Sequence, residues 1–294
     1  MLLIIGFVLV FGSVLAGYMM EGGALGVLNQ PAEFLIIGGC ALGTLLVSTP
    51  GSVLKLTLAQ SKAAMGGGET KQQYIDLLSM LYQIFKQVQQ SGVMSLESHF
   101  EEVEKSPILT RYPSFMSRHH AVDFLADSVK IIIIGGIAAH DLEALMDEDL
   151  KVHHEQDLRP SQALAKIGDA LPGLGIVAAV LGVVITMGHI DGPPAEIGHR
   201  VGAALIGTFL GILLSYGFVQ PLATTLEGRV AQEGYYCLCI KAGLLAVYKG
   251  NPPAIAVEFA RRVLPGEVRP TFNETEEFCR AAMSNREAPH AMAA

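Results

Sequence analysis

Four stretches of this chain, residues 1–20, 34–54, 170–190 and 201–226, contain no Asp, Glu, Lys or Arg. Each reaches the roughly 20 residues that an α-helix needs to cross about 30 Å of hydrocarbon. Only helices and closed barrels satisfy their own backbone in lipid, and continuous apolar runs select helices. The expected fold is therefore all-α, a polytopic membrane protein with four transmembrane helices and a helical cytoplasmic domain. The first stretch differs from a signal peptide, because no Lys or Arg precedes it and no small-residue cleavage site stands out. Ile131, Ile132, Ile133 and Ile134 form a fifth apolar patch, too short to span and expected to be a buried contact.

The positive charge fixes an expected orientation. Nineteen of the 20 Lys and Arg residues lie either between the second and third spans or after the fourth, and Arg200 is the exception. By the positive-inside rule both segments face the cytoplasm, with Lys55, Lys166 and Arg229 close to span ends carrying the argument. Four spans then place both termini inside, and the external face is reduced to two short connections, residues 21–33 and 191–200. The expected division is a first helix pair (1–54), a cytoplasmic helical domain (55–168), a second helix pair (169–226) and a C-terminal helical segment (227–294).

In the cytoplasmic part, Tyr74, Leu77, Leu78, Leu81, Ile84, Phe85 and Val88 recur at helical spacing and predict an amphipathic helix over 72–90. A second helical region is expected from Met94 to Glu104, a strongly acidic helix over 141–156, and a frayed tail after Pro265. A net charge of −8 excludes a nucleic-acid partner, whose phosphates demand clustered basic side chains. Four cysteines without a second Cys-x-Cys pair read as reduced thiols. His153 and His154 point about 100° apart on a helix and do not form one metal face, and Arg118-His119-His120 fares no better. Gly66-Gly67-Gly68 lacks the Lys-Ser/Thr of a phosphate-binding loop and reads as a linker. No nucleophile with its base and no paired acid occurs at membrane depth, so neither an enzyme nor a cofactor is expected.

The spans carry the informative residues. Gly39-x-x-x-Gly43 and Gly207-x-x-x-Gly211 permit close helix approach. Pro172 near the start of the third span and Pro221 near the end of the fourth fall at about the same depth, in the cytoplasmic leaflet. There each removes a backbone hydrogen bond and can bend its helix; Pro172 alone could also be read as a helix-start proline, whereas apolar sequence continues after Pro221. Thr208 falls about 11 Å inside the outer end of the fourth span at roughly 1.5 Å per residue. Ala179 is near that level and Thr186 closer to the outer face. No carboxylate lies within any charge-free stretch; Glu33 and Asp169 sit at the ends. Proton and ion pathways use an intramembrane ionisable group, so a conducting assembly would need a partner to supply the carrier.

Together these residues resemble the MotA family, the larger stator subunit of the bacterial flagellar motor. The resemblance rests on GxLGxLxQPAE at 23–33, EALMDEDL at 143–150, GDALPGLGIVAAVLGVV at 168–184, GTFLGILLSYGFVQPLA at 207–223 and PPAIAVEFAR at 252–261. It implies an inner-membrane homo-oligomer, a pentamer, around a MotB-type single-span subunit that brings the ion-binding aspartate and a peptidoglycan anchor. Pro172 and Pro221 match the family's coupling prolines, and Thr208 and Ala179 match positions facing the ion path. Alanine at 179, where sodium-driven members tend to carry a hydroxyl, points to protons, since sodium needs several oxygen ligands. Glu97 and Asp149 match acids that meet the rotor protein FliG. The basic member of that set is replaced by Gln89, leaving Lys86, Lys105 or Arg118 as candidate substitutes. ExbB- and TolQ-type energisers resemble the last two spans, but the pair of spans ahead of Lys55 sets this chain apart.

Overall fold

The structure, a computed structural model, describes residues 2–66, 68 and 70–284. Among these residues it contains no strand. Its helices are α1 (Leu2–Met20), α2 (Leu25–Leu28), α3 (Pro31–Ser48), α4 (Gly51–Ala64), α5 (Lys71–Ser91), α6 (Glu97–Glu101), α7 (Pro113–Met116), α8 (His119–Ile134), α9 (Ala139–Met187), α10 (Pro194–Leu214), α11 (Gln220–Tyr248), α12 (Pro253–Arg262) and α13 (Phe272–Met283). Four helical stretches are long and apolar enough to cross a membrane: Leu2–Met20, Leu25–Ser48 and segments within Ala139–Met187 and Pro194–Tyr248. The all-α, four-span expectation holds.

The chain divides into two compact units that alternate along the sequence. The first comprises Met1–Gly68 and Gln156–Val230, the second Glu69–Glu155 and Ala231–Ala294. In the first unit α3 packs on α10, and Ile37, Ala41, Ile167, Leu171, Ala178 and Leu210 form a small core. Most apolar side chains of this unit face outward. No residue of α1 is buried, and Ile176, Val180, Val184 and Ile185 of α9 are open. An apolar surface that continuous is untenable in water and is what a helix presents to hydrocarbon. Proline at the first positions of α3 and α10 starts each helix where its missing N–H costs nothing. Arg229 Nη2 donates to Gly66 O at 2.9 Å, tying α11 to the end of α4.

The second unit is a conventional helical core. Tyr74, Leu77, Leu78, Leu81, Ile84 and Phe85 on one face of α5 are fully buried with Leu125, Met146, Tyr236, Ile240 and Leu264, as the 3.6-residue period requires. Gly92 at φ +77° ends α5 in a conformation that favours glycine. Ion pairs Lys241–Asp147 and Lys249–Glu143 join α11 to the first turns of α9.

Several expectations need correction. The region from Met94 to Glu104 is not one helix. It is a 3-10 turn (Val93–Leu96), α6 and a second 3-10 turn (Val103–Lys105), broken where Glu102 adopts φ −125° and ψ 75°. Leu96 and Phe100 anchor these short pieces in the core, so burial of two side chains replaces helical continuity. The acidic helix expected over 141–156 does not stop there; α9 continues through Pro160 and Pro172 to Met187. The tail after Pro265 does not fray at once, because α13 docks on α5. Thr271 and Glu274 form a capping box, and Lys71 Nζ lies 2.8 Å from Glu274, holding that carboxyl down at about 2. Ile131, Ile132 and Ile133 pack on the core as expected, but Ile134, next to Gly135, is exposed.

Candidate functional site

In the first unit α9 and α10 meet along a seam of small residues. A Cβ added to Gly211 would lie 2.6 Å from the Leu171 carbonyl oxygen and 2.8 Å from Gly175 Cα. One added to Gly175 would lie 2.7 Å from the Gly207 oxygen, and one on Gly207 would lie 3.0 Å from the Ala179 nitrogen. The two backbones therefore touch, a distance only glycine permits. Gly207 and Ala179 are brought together, with half-buried Thr208 next in sequence to Gly207. By contrast, a Cβ on Gly39 or Gly43 would meet nothing within 4 Å in this chain. Thr186 is buried, and its hydroxyl donates to the Gly182 carbonyl at 2.8 Å, the ordinary bond to the preceding turn.

The two prolines sit on facing segments of this seam. Proline has no N–H, so the carbonyl four residues before Pro172, that of Gly168, lacks its intrahelical donor. Ser215 supplies one: its hydroxyl donates to Gly168 O at 2.7 Å, and the side chain is fully buried. Ser215 also opens a π-helical turn, Ser215–Val219, in which the Gln220 N–H reaches back five residues to the Ser215 carbonyl. Pro221 follows at once. Gln220 closes the link by donating from Nε2 to Asp169 Oδ1 at 2.6 Å, and Thr225 donates to the Pro221 carbonyl at 2.8 Å. The irregular segment around each proline is thus bonded to that around the other. Ser215→Ala is expected to leave the Gly168 carbonyl without a partner and to cost about 1 kcal/mol, the scale of interhelical hydroxyl bonds in membranes. Thermal unfolding of the detergent-solubilised protein measures it, and Ser215→Thr is the control that keeps the donor.

Gln89, Glu97 and Asp149 all lie exposed on the second unit. Gln89 lies in the last turn of α5 and Glu97 begins α6, and the two segments are pinned by Gln87. Its Nε2 donates to Ser95 O at 3.0 Å and to His99 Nε2 at 3.0 Å. That leaves His99 Nδ1 to donate to Ser106 Oγ at 2.9 Å. Burial lowers the His99 pKa, so the imidazole is neutral at neutral pH. Asp149 lies on α9. Of the three candidate basic substitutes, Arg118 is unsuited: it pairs with Glu233 and stacks on Tyr236 at 4.2 Å, and its side chain is only 14% exposed. Lys105 is engaged by Glu102 at 2.7 Å. Lys86 donates to Gln89 Oε1 at 3.1 Å, which puts a positive charge at the glutamine itself.

Glu33 is the residue that sequence reasoning undervalued. It marks the edge of a charge-free stretch, yet it occupies the first turn of α3, within the Leu25–Ser48 stretch, and is buried at 8% exposure. The signal available in the sequence was its place within QPAE, directly after the helix-starting Pro31.

Two family models match the chain: motility protein A N-terminal over residues 4–92, and the MotA/TolQ/ExbB proton channel family over residues 117–236. The chain is 42% identical over 282 residues to Motility protein A of Escherichia coli (strain K12), covering 96% of each. It shares its fold with the solved structure of C. jejuni MotAB, at a TM-score of 0.75 and 20% identity over 90% of this chain and 96% of that one. The flagellar MotAB stator complex from Bacillus subtilis gives a TM-score of 0.70 at 22% identity, over 90% and 96%. With a relative this similar along nearly its whole length, and with both family models in order on its two halves, the chain belongs to the motility protein A family within the MotA/TolQ/ExbB proton channel group.

Proposed function

We propose that this chain is the larger stator subunit of a flagellar motor, lining a proton path with a MotB-type partner and turning proton flux into rotor movement. The observation that carries the reading is the bonded pair of proline irregularities, Pro172 with Ser215–Gly168 and Pro221 with its π turn, set in a glycine seam beside Ala179 and Thr208. In this reading the pair shifts between two arrangements as the partner's acid gains and loses its proton, since a π turn and a side-chain bond stand where a regular helix ladder would otherwise run. The partner supplies the mid-membrane acid, since the charge-free stretches of this chain hold none.

Both termini and the second unit are cytoplasmic in this reading, in keeping with the distribution of Lys and Arg. The subunits form a ring of five around the partner, as the family resemblance implies. The match of the N-terminal model to residues 4–92 favours a motor subunit over an ExbB- or TolQ-type energiser. The proton is the coupling ion because Ala179 offers no oxygen where a sodium site would need one. Complementation tests the function: with a MotB-type partner, the chain is expected to restore swimming to cells lacking their own stator. A properly inserted complex that never restores it, with several rotor types, contradicts the reading.

Rotor contact is assigned to the exposed corner of Lys86, Gln89 and Glu97, with FliG as the rotor protein and Asp149 as an accessory acid. Lys86 takes the place of the basic residue that Gln89 has lost. Lys86→Glu is expected to weaken the contact by about 1 kcal/mol, roughly fivefold, the upper range for an exposed charge pair. Swimming speed under load should fall and recover when an acid on the rotor side is reversed. Lys105→Glu, at a lysine already paired with Glu102, should change little.

A further inference from the structure

We propose that Glu33 is a proton-binding station carried by this subunit itself, near the outer part of the path, which receives protons and passes them inward to the partner's acid. The inference rests on the stator reading and adds a site on the chain's own residues.

The geometry is that of a built cradle. Glu33 is 92% buried, and its Oε2 has no hydrogen-bond partner among the described residues. That oxygen occupies the space a Cβ on Gly207 would need, 2.5 Å away, so glycine at 207 is what admits the carboxyl to the seam. Oε1 lies 3.6 Å from the Cβ position of Gly182, where Ala204 also closes in at 2.7 Å. The carboxyl is therefore lodged between α9 and α10 at the level of Ala178 and Ala179, a position already matched to the ion path. The same glycines that bring the helices together leave the room for it.

Among the described residues, no cation is paired with it. The charge-free stretches 170–190 and 201–226 provide no Lys or Arg. Arg200, the basic residue that adjoins the stretch 201–226, is held by Glu196 at 2.9 Å. His189 is turned to the Ile185 carbonyl at 2.9 Å, and the Thr186 hydroxyl is spent on Gly182. A buried carboxylate without a partner is costly and is relieved by taking up a cation. A sodium ion would require several oxygen ligands, whereas the residues that close on the cradle, Ala178, Ala179, Gly182, Ala204 and Gly207, have no side-chain oxygen to offer. The proton is the cation that a single carboxyl can hold. In the transfer one O–H bond forms at Glu33 as one breaks on a hydronium ion from the outer side. That O–H bond then breaks as the proton moves inward to the next carboxylate, so the site returns to its starting charge.

The experiment uses the full chain with its MotB-type partner in cells lacking their own stator. Swimming speed, cytoplasmic acidification on induction and co-purification of the partner are measured together. Glu33→Gln keeps shape and removes the titrating oxygen. It is expected to assemble normally and to lower proton influx and speed about tenfold or more, a modest share of the on the order of 100-fold that a positioned proton-transfer group contributes. Glu33→Asp should retain most of the flux. Full speed in an assembled Glu33→Gln complex overturns the proposal while leaving the stator reading intact, whereas an assembled wild-type complex that does not swim counts against the stator reading. The wild-type complex provides a second arm that needs no variant. Treatment with dicyclohexylcarbodiimide, which reacts with protonated carboxyls in apolar surroundings, should give a Glu33 adduct by mass spectrometry that declines as pH rises. Absence of that adduct from acid to alkaline pH also overturns it.

Discussion

Gly211→Ala is expected to be among the most damaging single methyl groups that can be added to the membrane unit. The new Cβ would lie 2.6 Å from the Leu171 carbonyl oxygen and 2.8 Å from Gly175 Cα, and both are backbone atoms of a continuous helix. A flexible side chain could turn aside; a helix backbone can only move as a whole. Separating α9 from α10 would also stretch the Ser215–Gly168 hydrogen bond and open the cradle around Glu33. Overpacking in a tight core costs about 1–3 kcal/mol, and the loss of a dependent buried hydrogen bond brings the expected total to about 3 kcal/mol or more. Alanine is the better helix former by about 1 kcal/mol, so intrinsic propensity works against the predicted loss and does not cause it. Gly198→Ala on the same helix is the control, since a Cβ there meets nothing within 4 Å. The yield and melting temperature of the solubilised protein should fall for Gly211→Ala and hold for Gly198→Ala. Equal behaviour of the two would mean that the seam is not packed as described.

Pro221→Ala has the opposite character, a large loss of function without a loss of stability. Alanine restores an N–H and relieves a helix-interior proline penalty of about 3 kcal/mol, which removes the reason for the π turn at Ser215–Val219. The helix should regularise and the protein should melt at the same temperature or higher. Swimming should be abolished, because the proposed coupling step needs the irregular turn that a regular helix removes. Pro172→Ala should act similarly: it returns a helical donor to the Gly168 carbonyl and makes the Ser215 hydroxyl redundant. Assembled, stable and motionless variants would separate coupling from folding. Full motility in both would relegate the prolines to packing.

The membrane character of the chain was legible because burying a charge in lipid is so costly that four spans announce themselves by what they omit. The α5 core face was legible for a related reason: Tyr74, Leu77, Leu78, Leu81, Ile84 and Phe85 carry a period that only a helix satisfies. The continuity of α9 was not. Apolar runs mark the part of a helix in lipid, while Asp141 to Gln156 reads as an independent acidic helix; the helix itself runs on through Pro160. Of two similar glycine motifs, Gly207-x-x-x-Gly211 meets α9, whereas Gly39 and Gly43 meet nothing within the chain. Spacing gives the capacity for close approach but does not name the neighbour. Ser215 was invisible because its acceptor is a backbone carbonyl, identical in every residue, made special only by a proline four positions on. Glu33 looked interfacial because its position along the sequence is at an edge, while its burial depends on two glycines more than 140 residues away in the chain. Arg118 and Lys86 were equivalent as letters. Only the pairing of one with Glu233 and the other with Gln89 separates them.

The most direct test of the central claim is the rotation speed of tethered cells driven only by this chain and its MotB-type partner, as the proton gradient is collapsed with an uncoupler at constant sodium. The account predicts that speed falls with the proton-motive force and reaches zero when it vanishes, and that Pro221→Ala never rotates. Rotation that persists through the collapse and stops only when sodium is withdrawn would contradict it.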